Sequence, residues 1–194
     1  MINTWFISDT HFGHKKILDY EKDARPFNSV EEMNETIIDR WNSVVGHNDI
    51  VYHLGDFCFG RGNINIAGRL RGKKKLIMGN HDTYPSTDYL VYFEKLYGAV
   101  FWKQCVLTHI PVHPDNLGAR AFLNLHGHLH SNKVKKMVNE TFQLKTNIDP
   151  LPMTFLKPGW EEVDDNYFNV SCEQNNLTPI HADIILEKVR EISL

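Results

Sequence analysis

The chain is organised around a succession of short apolar runs, most of which stop at a residue able to hold a metal or a proton. Thr4–Ser8 (TWFIS), Asp49–Leu54 (DIVYHL), Lys74–Met78 (KKLIM), Val100–Trp102, Cys105–Thr108 (CVLT), Phe122–Leu125 (FLNL) and Tyr167–Ser171 (YFNVS) are rich in β-branched and aromatic residues. Their length, and the Gly, Asn and Asp residues that bound them, read as buried strands. Helical patterns lie between several of them. Ser29-Val30-Glu31-Glu32 has the form of a capping box, and the helix it opens carries Met33, Ile37, Ile38, Trp41 and Val45 on one face. Shorter helices are expected over 63–72, 86–96 and 181–192. Strand and helix alternate in the first half and hairpin-like strand pairs follow. This predicts an α/β layered fold with a mixed sheet or two stacked sheets. A length of 194 residues suits one domain, 1–194. The polar, proline-containing stretch 131–166 reads as a surface excursion within it.

The ends of these runs carry the chemistry. TWFIS leads into Asp9-Thr10-His11, DIVYHL into Gly55-Asp56, and KKLIM into Gly79-Asn80-His81-Asp82. CVLT leads into His109, and FLNL into His126-Gly127-His128-Leu129-His130. Strand ends on one side of a layered sheet form a common crevice, so these groups are expected to converge. In Asp-x-His and His-x-His, extended residues at i and i+2 would project to the same side and could meet one ion. Asp9, His11, Asp56, Asn80, His109, His128 and His130 form a mixed oxygen and imidazole set that suits Mn, Fe, Zn, Co or Ni and not an all-oxygen calcium cage. The set is too large for one ion and about right for two that share a carboxylate. Taken singly, each motif is more simply a turn or a cap; five of them in order, each just past a strand-like run, are not accidental. Eleven histidines are many for such a chain, and most of the remainder read as structural: His53 packed, His47 and His113 in loops, His181 at a helix start. His126 could support the ligands, and His14 could face the site.

Composition excludes several classes. A formal net charge of −3 argues against a protein that coats nucleic acid, and no stable nucleic-acid partner is expected. Cys58, Cys105 and Cys172 are odd in number and far apart, so neither a disulfide framework nor a cysteine zinc site is indicated. No signal-like segment or membrane-length apolar run is present, which predicts a cytoplasmic protein. Nothing in the sequence sets its oligomeric state.

The ordered motifs Asp-x-His, Gly-Asp, Gly-Asn-His-Asp, His and Gly-His-x-His, from Asp9 to His130, resemble the calcineurin-like metallophosphoesterase superfamily. Arg25-Pro26-Phe27, Glu31-Glu32-Met33-Asn34-Glu35 and Trp41-Asn42 further resemble its small bacterial and phage members. The resemblance implies a four-layer α/β/β/α sandwich of two mixed sheets flanked by helices, with two divalent ions, manganese favoured, at one sheet edge. It implies Asp9, His11 and His130 on the first ion, Asn80, His109 and His128 on the second, and Asp56 on both. His81 would be the catalytic imidazole, hydrogen-bonded to and oriented by Asp82. Relatives that dephosphorylate proteins usually carry Asp-Arg-Gly soon after Gly-Asp; here the chain reads Phe57-Cys58-Phe59-Gly60-Arg61-Gly62.

The implied reaction is phosphoester hydrolysis by a hydroxide held between the ions, with a proton from His81 for the leaving group. Small or nucleotidic phosphodiesters are the expected substrates. A phosphomonoesterase with the same site is the alternative, and a non-catalytic scaffold is disfavoured because ligands and imidazole are all retained. Arg61, His14 and Phe12 are candidates for substrate contact, the phenylalanine by stacking, as is Phe57, although core packing suits both rings better.

Overall fold

The computed structural model describes residues 2–143 and 152–193. Its first sheet has the order β11-β1-β2-β3-β4, with β1 Thr4–Ile7, β2 Ile50–His53, β3 Lys73–Ile77 and β4 Lys95–Tyr97 mutually parallel and β11 Ile180–His181 antiparallel to β1. The second has the order β10-β7-β6-β5, with β6 Cys105–Leu107, β7 Leu123–His126 and β10 Tyr167–Asn169 parallel and β5 Val100–Trp102 antiparallel. The expected two mixed sheets with flanking helices are therefore present.

Alternation along the strands divides the core in two, because neighbouring strand residues face opposite sides. Ile7, Val51 and Leu76 join α2 (Val30–Val44) through Met33, Ile37, Ile38 and Trp41. Phe6, Tyr52 and Ile77 point the other way, onto Cys105, Leu107, Leu123 and Leu125 of the second sheet. Burying each of the larger apolar side chains contributes about 1.5–3 kcal/mol. Helix α4 (Ala182–Ile192) adds Ile185 and Val189 to this inter-sheet core.

Ser29 caps α2 as expected, its hydroxyl accepting from Glu32 N–H at 3.1 Å. The return arm of the box goes to Asn28 N–H, one residue earlier, at 2.9 Å. The helix expected over 63–72 is a 3-10 segment, Arg61–Arg69. That expected over 86–96 is only the short α3, Ser86–Tyr89, after which the chain turns into β4. Pairing with β3 overrides the helical pattern: Glu94 N–H already bonds Lys74 C=O at 2.8 Å, and Leu96 lies opposite Leu76. The last helix begins at Ala182, with His181 as its cap and as part of β11. The polar stretch 131–166 contains an antiparallel pair, β8 Lys135–Gln143 with β9 Pro152–Val163, which its weak periodicity did not announce. The remaining helix is α1, Ile17–Tyr20. No helix among the described residues is long and apolar enough to cross a membrane.

Candidate functional site

The C-terminal ends of β1, β2 and β3 and those of β6 and β7 open on one edge, where the two sheets join. Beyond β1 and β2 the loops keep pairing as parallel backbone: Asp9 N–H bonds Gly55 C=O, His11 N–H bonds Asp56 C=O, and Phe12 N–H bonds Phe57 C=O. A bridge between Ser8 and Ser171 ties the first sheet to the segment after β10. Two groups of candidate ligands result, Asp9, His11 and His130, and Asp56, His109 and His128, with the donor atoms of each within 4.8 Å of one another. Each group draws on both sheets.

The spacing expected from extended i, i+2 residues is not how the loops achieve this. Asp9, His11, Asp56, His128 and His130 have φ of 55°, 48°, 56°, 68° and 50°. Left-handed backbone costs a non-glycine residue about 1 kcal/mol or more, and here it takes the place of the extended backbone expected in these loops. Glycine makes the close approach possible: a Cβ at position 79 would lie 2.2 Å from Asp56 Oδ1, and one at 127 would lie 2.3 Å from Asp9 Oδ2.

Asp56 Oδ2 stands 3.5 Å from His11 Nε2 and 3.3 Å from His109 Nε2, between the two groups. Asn80 Oδ1 is 3.0 Å from His109 Nε2. His109 Nδ1 donates to Leu54 C=O at 2.8 Å, so Nε2 is the ring atom that faces the two oxygens. A proton on Nε2 or a cation shared with those oxygens satisfies the contact, and a cation binds the ring in its neutral form. Donors about 2.1 Å from a shared ion lie about 3.0–3.4 Å apart at octahedral or tetrahedral angles, close to these separations. His11 Nε2 is buried with no hydrogen-bond partner, and burial holds the ring's pKa well below its usual value, which keeps it neutral as a ligand must be. The residues fit a pair of divalent ions.

The carboxylates are prepared differently. Asp9 Oδ2 accepts from Ser8 Oγ (2.6 Å), Ser171 Oγ (2.9 Å) and His128 N–H (2.9 Å), while Oδ1 faces His11 and His130 Nε2 at 3.8 Å each. Burial raises the pKa of Asp9 against the pull of His109 and His130. Burial would also raise that of Asp56, but His109 and the His81 N–H lower it. For His109 itself, burial is outweighed by Asp56 and Asp9, and its pKa is raised.

Asp82 does not orient His81. Its Oδ2 accepts from Asp56 N–H (2.8 Å) and Gly79 N–H (2.9 Å), and its Oδ1 from Phe57 N–H (3.0 Å). Three converging amides make it a buried clamp between the second and third motif loops. His81 has its backbone N–H on Asp56 Oδ1 (2.9 Å), and its Nε2 lies 4.0 Å from Asp56 Oδ2 with 44% of the side chain exposed.

Among the residues considered for substrate contact, Phe12 is corrected: it is 0% exposed and packs on Phe57, which is equally buried. Arg61 forms a double hydrogen bond with Asp88, at 2.5 and 2.9 Å. His14 does reach the site, its Nδ1 3.3 Å from His11 Nδ1. His126 is buried on Gly127 C=O and burial lowers its pKa to about 4; His113 is exposed and caps a short loop turn. His53 is packed, as expected, yet joins two motif loops: its Nδ1 accepts from Gly55 N–H, its Nε2 meets the Thr10 hydroxyl at 2.9 Å, and that hydroxyl donates to Phe57 C=O.

Sequence reasoning missed Glu173. Its fully buried Oε1 meets His130 Nδ1 at 2.9 Å and accepts from Arg25 Nε and Nη2, each at 2.7 Å. Arg25, 1% exposed, also donates to the Asp9 and Thr10 carbonyls. The Arg25-Pro26-Phe27 stretch was the only signal near this pair. Asn34 likewise has a task, accepting from Gly13 N–H at 3.1 Å.

Comparison with known proteins agrees with this geometry. The uncharacterised protein MJ1445 of Methanocaldococcus jannaschii is 32% identical over 195 residues, covering 98% of this chain and 93% of that one. The Gene 66 protein of Mycobacterium phage L5 is 44% identical over 87 residues, 42% of this chain and 41% of its own. The Gene 66 protein of Mycobacterium phage D29 is 27% identical over 182 residues, 77% of this chain and 89% of its own. The crystal structure of AQ665, a protein of unknown function from Aquifex aeolicus, shares the fold with a TM-score of 0.64 at 24% identity, covering 96% of this chain and 99% of that one. The calcineurin-like phosphoesterase model matches residues 2–182. The chain belongs to the calcineurin-like phosphoesterase family, whose chemistry is metal-dependent phosphoester hydrolysis, and its phage relatives fit the small phage and bacterial branch.

Proposed function

We propose that the protein is a phosphodiesterase acting on small or nucleotidic esters in preference to phosphomonoesters. Asp9, His11 and His130 would hold one divalent ion, Asn80, His109 and His128 a second, and Asp56 both; the mixed donor set admits Mn, Fe, Zn, Co or Ni, and manganese is the ion proposed on the family resemblance. Ions so held supply Lewis acidity toward phosphoryl oxygens and lower the pKa of water toward neutrality. His81, exposed beside the cluster and free of Asp82, would give a proton to the leaving oxygen as its bond to phosphorus breaks and water oxygen takes its place.

The observation that favours a diester is the fate of the two arginines at the motif loops. Arg61 pairs with Asp88, and Arg25 lies behind the loops on Glu173 and backbone carbonyls. A diester brings one negative charge and a monoester up to two, so the diester needs less help from a free guanidinium.

Hydrolysis of bis-p-nitrophenyl phosphate and p-nitrophenyl phosphate with manganese tests the preference, and a larger kcat/KM for the diester is expected. A larger value for the monoester would overturn the preference, and no turnover with any divalent metal would overturn the enzyme. His81→Ala should lose on the order of 100-fold or more on an alkyl diester and far less on a p-nitrophenyl one, whose leaving group needs no proton. Equal losses would remove the acid role.

A further inference from the structure

On the His14 side, the mouth of the site carries aromatic side chains. Phe59 is 48% exposed, although every residue from 51 to 58 is buried. Its ring stacks on His14, centroids 4.5 Å apart and planes 16° from parallel, and lies 6.3 Å from the His81 ring. Tyr20, 68% exposed, has its ring 6.4 Å from that of His14. Phe59 is also held firmly. Its N–H donates to Phe12 C=O (2.8 Å), its C=O accepts from Asn63 Nδ2 (2.6 Å), and the next residue, Gly60, donates to the Tyr84 hydroxyl (2.7 Å).

Phe12 and Phe57 supply the core from the same loops; Phe59 belongs to neither core cluster. The ring is left half in water on a fixed backbone beside the candidate ligands, where it adds little to the core. His81 Nε2 is itself 4.0 Å from Asp56 Oδ2, so the ring adjoins the cluster through His81, within a nucleotide's length of a phosphate held there. Every nucleobase has a π face, so such a surface binds bases without reading their edges.

We propose that Phe59, backed by His14, is the platform on which the base of a nucleotidic phosphodiester stacks. The proposal rests on the hydrolytic reading of the same site and narrows its substrates to esters that carry an aromatic base. A rigid platform costs little entropy on binding, so its effect should appear mainly in KM.

The test compares wild type, Phe59→Leu and Phe59→Trp, with manganese, on adenosine 2′,3′-cyclic phosphate and glycerol 1,2-cyclic phosphate. These share a five-membered cyclic diester and differ in the base. Leucine keeps an apolar contact with His14 and removes the π face. It should lower kcat/KM on the adenosine ester on the order of 10- to 100-fold, and leave the glycerol ester within about twofold. Tryptophan should match or exceed wild type on the adenosine ester. Equal loss on both esters, or no loss on either, would overturn the platform. Calorimetric binding of the adenosine ester separates the two readings: binding that is weakened by Phe59→Leu, without turnover, keeps the platform and removes the hydrolysis. A wild type that neither binds nor cleaves it removes the platform.

Discussion

His130 is oriented by a residue that carries no motif. Glu173 fixes the proton on His130 Nδ1 and so leaves Nε2, the atom facing Asp9, as the one able to bind an ion. Arg25 offsets the buried carboxylate and reaches two carbonyls of the first motif loop, so one ion pair positions ligands from both sheets. Glu173→Gln keeps the shape and removes the charge. It should weaken the ion proposed for Asp9, His11 and His130 on the order of 10- to 100-fold and spare the other. Elemental analysis at manganese levels that saturate wild type should then find a stoichiometry falling from two toward one; two ions retained would contradict the role. At this scale the ligand candidates were legible because each follows a strand-like run. Glu173 follows Ser171-Cys172 with nothing to distinguish it from a solvated glutamate, and only the folded chain brings it across 43 positions to His130. Asp82 erred in the opposite direction: adjacency to His81 suggested a pair, and converging amides claimed the carboxylate instead.

The strands were legible where local pattern and tertiary pairing agree, and β4 was not because pairing with β3 outweighs the helical spacing after Ser86. What cannot be read locally is how the ends of elements are anchored. Asp49, at the entry of β2, shows this. Its carboxylate accepts from the Asn3 N–H and Trp5 Nε1, each at 2.9 Å, and from Gly46 N–H at 3.0 Å, pinning β1 and the turn after α2 to β2. Burial alone would raise its pKa, and these donors bring it down to about 2. The folded value lies below the unfolded one of about 3.9. The stabilisation is therefore complete above that value and is lost as pH falls from about 4 toward about 2. Asp49→Asn should melt below wild type near neutrality, with the gap closing as pH drops through this window. A gap that stays constant to about pH 3 would show that the charge plays no part.

Across the whole molecule, each candidate ion draws ligands from both sheets, Asp9 and His11 with His130, and Asp56 with His109 and His128. Bound ions should therefore stiffen the sheet–sheet contact as well as the site, and chelation should lower Tm by the linkage of binding to folding. The left-handed ligands sharpen the expectation. Without metal, His128→Gly should be more stable than His128→Ala by about 1 kcal/mol, the reverse of the order in a helix or strand. Denaturant melts in chelator would decide it, and alanine equal to or above glycine would show that the φ of 68° carries no strain. A descendant that no longer used its ions would keep paying for this geometry, and drift would favour glycine at 9, 11, 56, 128 and 130. Bulky residues held there in left-handed turns are thus a signature of a working metal centre, one that can be looked for in any relative of known backbone before an assay is run.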